Sequence, residues 1–235
     1  MRIIFVRHGE PDYAHDCLTD LGRSQAKAAA IRLREEGIEE LWSSPLGRAS
    51  ETAEAASMAL GLPVRILDFM QEVTWGATDD APLFAGGHPW AIVNEMARQG
   101  IELNRPDWRT SPYFRTNRVT ACVDRIETGI DEWLAGFGYV REGAYYRQTA
   151  EEKQRRTVAL FSHGGSSCAA MGHILNLPFP FACALIHLDY AGITVVRLDG
   201  SAGEKTLPRL EMTNDFKHIR QADVPASAAA PAEEE

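Results

Sequence analysis

The 235-residue chain lacks any apolar run approaching the length of a membrane span, so no transmembrane helix and no membrane partner are expected. Closely spaced cysteines are also missing. Cys17, Cys122, Cys168 and Cys183 form no Cys-x-x-Cys pair, which disfavours a zinc ribbon or a disulfide framework and points to reduced thiols. Basic residues are in deficit: 24 Lys and Arg face 33 Asp and Glu, and a formal net charge of −9 argues against a general nucleic-acid surface. Part of that excess is Glu233, Glu234 and Glu235, so the preceding residues are less acidic than the total implies. The first apolar segment is short and runs straight into Arg7-His8, unlike the apolar core of a signal peptide, and a cytoplasmic location is expected. No internal repeat is visible.

What is present reads as alternating strands and helices. Ile3-Ile4-Phe5-Val6 is a short apolar run rich in β-branched residues, the pattern of a strand covered on both faces. Residues 22–36 are dense in strong helix formers, with Gly37 as a stop. A strand over 38–42, an Ala-rich helix over 46–60 closed by Gly61-Leu62-Pro63, and a strand over 64–67 continue the rhythm of βαβ units around a parallel sheet. Between about residues 76 and 152 the rhythm breaks. That stretch holds Gly86-Gly87, many of the aromatics and two helices near 88–99 and 117–135, and it reads as an insertion lying over the sheet. Strand 157–161 resumes the pattern, followed by a helix over 166–175, strands over 184–188 and 193–198, and a weaker strand over 208–212. From residue 222 the Ala-Pro-Ser-Glu composition cannot bury a core and predicts a disordered acidic tail. One domain over 1–221 is expected.

Two strand ends are alike: Phe5-Val6-Arg7-His8-Gly9 and Leu160-Phe161-Ser162-His163-Gly164. In a parallel sheet both histidines emerge at the same edge, where ligands of open α/β sheets gather. A third strand end, Trp42-Ser43-Ser44-Pro45-Leu46-Gly47-Arg48, delivers an arginine into the first turn of the next helix. Arg7, Arg48 and the donors at the start of the 166–175 helix can then converge on an anion with both histidines.

On these residues the chain resembles the histidine phosphatase superfamily, the phosphoglycerate-mutase-like group, in the branch whose second motif is His-Gly. The resemblance covers about residues 1–75 and 155–218. It rests on Arg7-His8-Gly9-Glu10, Leu18-Thr19-Asp20-Leu21-Gly22, Ser43 to Ala53, Glu72, Ser162-His163-Gly164-Gly165 and Asn214-Asp215-Phe216-Lys217-His218. It implies an α/β fold: a three-layer α/β/α sandwich with a mostly parallel central sheet and an inserted helical or irregular cap.

The resemblance also implies that His8 attacks phosphorus and becomes a phosphohistidine. An imidazole does this near neutral pH only when the attacking nitrogen is unprotonated, with the other nitrogen held by a local acceptor such as a backbone carbonyl. Arg7, Arg48, His163 and Gly164 would surround the phosphoryl group, and Glu72 would protonate the leaving alkoxide and then activate water. No metal and no other cofactor is implied, because the arginines supply the positive charge. Pro11 stands where many relatives have Ser or Thr, which removes one hydroxyl contact to phosphate.

Plainer roles fit other candidates. Glu51 reads as a helix-surface carboxylate, and Cys168 as a small buried residue. His15, His88, His173, His187 and His218 lack metal-ligand spacing. Arg105, Arg109, Arg115 and Arg118 read first as a solvated charged loop. The sharper reading is a lid in which one of them, Arg115, reaches a second anionic group of the substrate.

Three functions remain open. The first is a metal-independent phosphomonoesterase of the histidine acid phosphatase type, acting on a small phosphorylated metabolite. The second is a cofactor-dependent phosphoglycerate mutase; such relatives carry Glu-Arg-x-Tyr-Gly and Arg-Arg-Ser segments, which the insertion does not show. The third is a non-catalytic phospholigand-binding module, which needs neither nucleophile nor proton donor. Monomer and homodimer are both open.

Overall fold

Ile3, Ile4, Phe5 and Val6 are each at most 1% exposed. Burying each such side chain stabilises the fold by roughly 1.5–3 kcal/mol, and four in a row require cover on both faces of the strand. In the computed structural model, which describes residues 1–79, 81–149 and 156–219, they form β1 (Arg2–Arg7). A small hairpin of β2 (Pro11–Asp12) and β3 (Cys17–Leu18) follows, then α1 (Asp20–Leu33), β4 (Glu40–Ser43), α2 (Gly47–Leu60) and β5 (Val64–Ile66). The middle of the chain supplies α3 (Pro89–Arg98), α4 (Arg118–Gly136), β6 (Tyr139–Glu142) and β7 (Tyr145–Gln148). The remainder supplies β8 (Thr157–Ser162), α5 (Gly164–Ile174), α6 (Phe179–Leu185), β9 (Ile193–Leu198), β10 (Lys205–Thr206) and β11 (Pro208–Asp215).

The main sheet has six strands in the order β11-β9-β1-β8-β4-β5. β1, β8, β4 and β5 run parallel. β9 is antiparallel to both β1 and β11, so it is the one reversed strand of this sheet. Alternation along the strands divides the core in two. Ile4, Val6, Leu41, Ala159 and Phe161 face Ala30, Leu33, Ala53 and Ala56 of α1 and α2, where small side chains let the helices sit close. Ile3, Phe5, Val158 and Leu160 share the other face with residues of α3, α4, α5 and α6. The result is the expected α/β sandwich with a mostly parallel central sheet.

Local signals account for most element ends. Thr19 caps α1 by accepting from the Gly22 N–H, and Gly61 closes α2 at φ 69°. The inserted stretch contributes to the second helical layer: Val123, Ile126 and Ile130 of α4 lie in the same core as Phe5 and Leu160.

Two expectations need correction, and one small sheet is added. Residues 184–188 are not a strand. Phe179–Leu185 forms a helix with Pro180 in its first turn, burying Phe179, Ala182 and Cys183; a short apolar run fits either state, and helix packing decides this one. The small sheet β10-β7-β6 was not foreseen. α5 begins at Gly164, with His163 as its N-cap, two residues earlier than expected. The acidic tail from residue 222 lies outside the described residues.

α4 crosses the turn Asp68–Met70 at Gly129. A Cβ on Gly129 would stand 2.2–2.6 Å from the Phe69 ring. Gly129→Ala gains about 1 kcal/mol of helix propensity but overpacks the crossing at a cost of ~1–3 kcal/mol. A lower thermal unfolding midpoint is expected, with partial recovery in Gly129→Ala/Phe69→Leu.

Candidate active site

Parallel pairing brings three strand ends together. Arg7 of β1 pairs with Ser162 of β8, and Ser43 of β4 with Phe161. The next residues stay in register: the His8 N–H donates to the Ser162 carbonyl at 2.9 Å, and the Ser44 N–H to the Phe161 carbonyl at 2.9 Å. His8 and His163 are thereby adjacent, their ring centroids 5.2 Å apart, and both are buried.

The two imidazoles are held differently. His8 Nδ1 lies 2.7 Å from the Gly9 carbonyl oxygen. A carbonyl only accepts, so Nδ1 carries a proton, and in the neutral ring the lone pair is on Nε2. Burial, then the Arg7 and Arg48 cations, push the His8 pKa down to about 3. His163 Nε2 lies 2.8 Å from Ser44 Oγ. Burial first, then the neighbouring His8, Arg48 and Arg7, hold His163 far below the ordinary histidine range. Both rings are therefore neutral near neutral pH, and positive charge in the site resides on the arginines.

Each arginine is gripped along one edge and covered on one face. Arg7 Nη1 donates to the Leu188 carbonyl at 2.6 Å, and its guanidinium lies 4.2 Å from the Tyr190 ring centroid. Arg48 Nη1 donates to Asp16, and its guanidinium lies 5.3 Å from the Tyr13 ring centroid. Arg7 Nε, Arg48 Nε and His163 Nδ1 are buried with no hydrogen-bond partner among the described residues. Buried polar groups are normally satisfied. Three such nitrogens around one histidine, two of them guanidinium donors, make a site suited to an anion.

Glu72 follows the turn after β5. Its carboxyl group accepts from the Val73 N–H at 2.9 Å and, in the first turn of α5, from Ser166 N–H at 2.9 Å and Gly165 N–H at 3.3 Å. A Cβ on Gly165 would stand 2.3 Å from Val73 and 2.7 Å from Glu72 Oε1, which explains the glycine there. Burial raises the Glu72 pKa, against the pull of its three backbone donors and of Arg7. The start of α5 thus serves Glu72, whereas the sequence suggested that its donors meet the anion directly. Gly164 adjoins Arg7: a Cβ there would stand 3.7 Å from the guanidinium.

The structure brings Arg7, His8, Arg48, Glu72, His163 and Gly164 together. Arg115 is exposed, unlike these buried and half-buried residues. It belongs to the segment whose Thr116 carbonyl accepts from the Thr78 N–H and whose Asn117 bridges to Ala77, just beyond Glu72. Arg105 and Arg109 are paired with Asp107 and with Asp124 and Glu127. Cys168 is fully buried, as expected of a small core residue. Glu51 is partly buried and accepts from the Leu18 N–H, so it ties the hairpin to α2 and is more than a surface carboxylate.

Four contributors went unnoticed in the sequence: Ser44, Tyr190, Asp16 and Tyr13. Ser44 sits inside the strand-end motif and could have been found from its place after β4. Tyr190 comes from a loop held by Asn214, whose side chain accepts from the Asp189 N–H at 2.8 Å and donates to the Asp189 carboxylate at 2.7 Å. Among the described residues no group of three or more His, Cys, Asp or Glu is placed to hold a metal ion, and no single helix is long and apolar enough to cross a membrane.

The chain is similar to known proteins in sequence and in fold. The "putative phosphoserine phosphatase 2" of Hydrogenobacter thermophilus is 23% identical over 229 residues, covering 94% of this chain and 98% of the relative. A "probable phosphoglycerate mutase" of Yersinia pestis is 30% identical over 92 residues, 35% of this chain and 43% of that protein. The native structure of a mycobacterial glucosyl-3-phosphoglycerate phosphatase superposes with a TM-score of 0.61 at 25% identity, over 91% of this chain and 98% of that one. The family model for branch 1 of the histidine phosphatase superfamily matches residues 3–135, a stretch that includes Arg7, His8, Arg48 and Glu72, and the chain belongs to that superfamily.

Proposed function

We propose that the protein is a phosphatase that hydrolyses a small phosphate ester through a phosphohistidine on His8. The observation that carries this reading is the Nδ1 contact with the Gly9 carbonyl, which leaves Nε2 free to attack beside three unpartnered buried nitrogens. Relatives named as a phosphoserine phosphatase and a glucosyl-3-phosphoglycerate phosphatase support hydrolysis of a small ester.

In the first step the Nε2 lone pair forms the N–P bond as the ester P–O bond breaks. Arg7, Arg48 and His163 hold the equatorial oxygens, where charge spreads in the transition state. Glu72, in the acid form that burial favours, gives its proton to the leaving alkoxide. In the second step the Glu72 carboxylate takes a proton from water, which attacks phosphorus. The N–P bond breaks, phosphate leaves, and Nε2 recovers its lone pair. The arginines supply the charge that a metal supplies elsewhere, so no metal is needed.

Return of the phosphoryl group to the substrate, a mutase reaction, is the second reading; it is favoured by the 92-residue match to a phosphoglycerate mutase. The two named phosphatase substrates carry a carboxylate as well as a phosphate. Arg115, exposed on the segment paired to Ala77, is the candidate for that second anionic group.

Wild-type protein is expected to hydrolyse an aryl phosphate in the presence of a chelator, and His8→Ala to be inactive. Quenching wild-type turnover of labelled substrate should leave an acid-labile label on the protein; activity in His8→Ala would refute the mechanism. Glu72→Gln should cost alkyl esters about 10²- to 10⁴-fold and an aryl ester with a good leaving group much less. The proton donor acts in its acid form, so kcat/KM for alkyl esters should fall as pH rises through the raised Glu72 pKa. This alkaline limb should vanish in Glu72→Gln, and His8, with its pKa near 3, should add no acid limb above about pH 4. Arg115→Ala should raise KM for phosphoserine and 3-phosphoglycerate while leaving an aryl phosphate unchanged; a parallel assay of 3-phosphoglycerate mutase activity separates the two readings.

A further inference from the structure

The 11–18 hairpin has no part in the mechanism so far, yet it delivers two side chains to Arg48. Tyr13 covers the guanidinium face. Asp16 does more, because its two carboxylate oxygens are divided between the side chain and the main chain of α2. Oδ1 accepts from Arg48 Nη1, and Oδ2 accepts from the Gly47 N–H at 2.7 Å. The N-cap residue Leu46 makes no side-chain cap of its own, so Asp16 caps the helix from outside, where a carboxylate also meets the positive end of the helix dipole.

Asp16 is itself anchored. Its backbone sits at φ 49°, and its carbonyl oxygen lies 2.0 Å from where a Cβ on Gly47 would stand. The hairpin base is pinned by the Thr19 N–H to the Glu10 carbonyl and by the Leu18 N–H to Glu51. Arg48 therefore takes its place from Asp16 rather than the reverse. Arg7 is gripped in the same way by a neutral carbonyl, that of Leu188. A carboxylate near an anion site opposes anion binding through its charge, so its presence calls for a role that outweighs that effect.

We propose that Asp16 is a positioning residue for Arg48, fixing one edge of the guanidinium so that its buried Nε is left to the phosphoryl group on His8. This rests on the phosphatase reading above. Holding a charged group in place before reaction removes reorganisation from the catalytic step, and a small misplacement costs on the order of 10²-fold in rate.

A double-mutant cycle tests the assignment. Asp16→Ala should lower kcat/KM on an aryl phosphate by about 10²-fold and weaken binding of inorganic phosphate measured by calorimetry. In an Arg48→Ala background the same change should have an effect within about twofold. Asp16→Asn keeps one acceptor oxygen and should recover part of the loss, and unfolding midpoints are recorded for every variant. A loss equal in both backgrounds would mean that the hairpin is only structural, and no loss in the parent would equally overturn the proposal. If the parent hydrolyses esters and the effects add, the clamp fails alone. If the parent binds phosphate without hydrolysis, the phosphatase reading fails and the cycle is read in phosphate affinity. A parent that does neither overturns both.

Discussion

The hydrogen bond from His8 Nδ1 to the carbonyl of Gly9 is the contact on which the rest of the site depends. It lies between a side chain and the very next peptide, so it is set by how β1 ends. With Nδ1 committed as a donor, the lone pair of the neutral ring falls on Nε2, and burial beside two cations keeps that ring neutral. Positive charge is accordingly carried by Arg7 and Arg48 rather than by either histidine. Burial with two cations at hand pushes both imidazoles down together. A guanidinium stays charged under the same conditions because its pKa starts so much higher.

The arginines in turn need to be still. A long side chain free to rotate would lose part of its electrostatic effect to reorganisation when charge develops. Each is fixed by an edge contact and an aromatic face, one set supplied by the 188–190 loop and the other by the 11–18 hairpin. These grips leave Nε of both arginines without a partner among the described residues. The overall charge of −9 matters little beside them. A single charge pair at ~4 Å is worth about 4 kcal/mol at an effective dielectric near 20, whereas diffuse surface charge is screened within about 8–10 Å.

The legible part of the molecule was the part carried by strand ends. Arg7, His8, Ser43 to Arg48 and His163 follow apolar runs whose pairing is parallel, so their convergence follows from topology once the βαβ rhythm is recognised. Glu72 was legible only through family resemblance, since nothing in its local pattern says that its carboxyl group meets the first turn of α5. Asp16 and Tyr190 were not legible. Both act through loops whose shape depends on distant contacts, Asp16 on Gly47 and Tyr190 on the pairing of Asp189 with Asn214. Phe179–Leu185 misled for a different reason. Its apolar residues suit a buried strand as well as a buried helix, and the choice is made by packing against α5, which no local pattern records.

One physical cause sets the two groups proposed for proton and phosphoryl chemistry. Burial disfavours the charged form of any side chain, so it lowers the pKa of an imidazole and raises that of a carboxyl group. His8 moves down and Glu72 moves up, so burial favours the bare imidazole proposed as nucleophile and the protonated carboxyl proposed as acid. The proposed mechanism also uses Glu72 as a carboxylate in its second half, a state that burial alone would disfavour. The N–H groups of Val73, Gly165 and Ser166 restore the balance, because they stabilise the anion once it forms. The first turn of helix α5 therefore donates to the Glu72 carboxyl group. Gly165 is the residue that allows it, since any side chain there would push Glu72 away from the donors that let it exchange a proton in both directions.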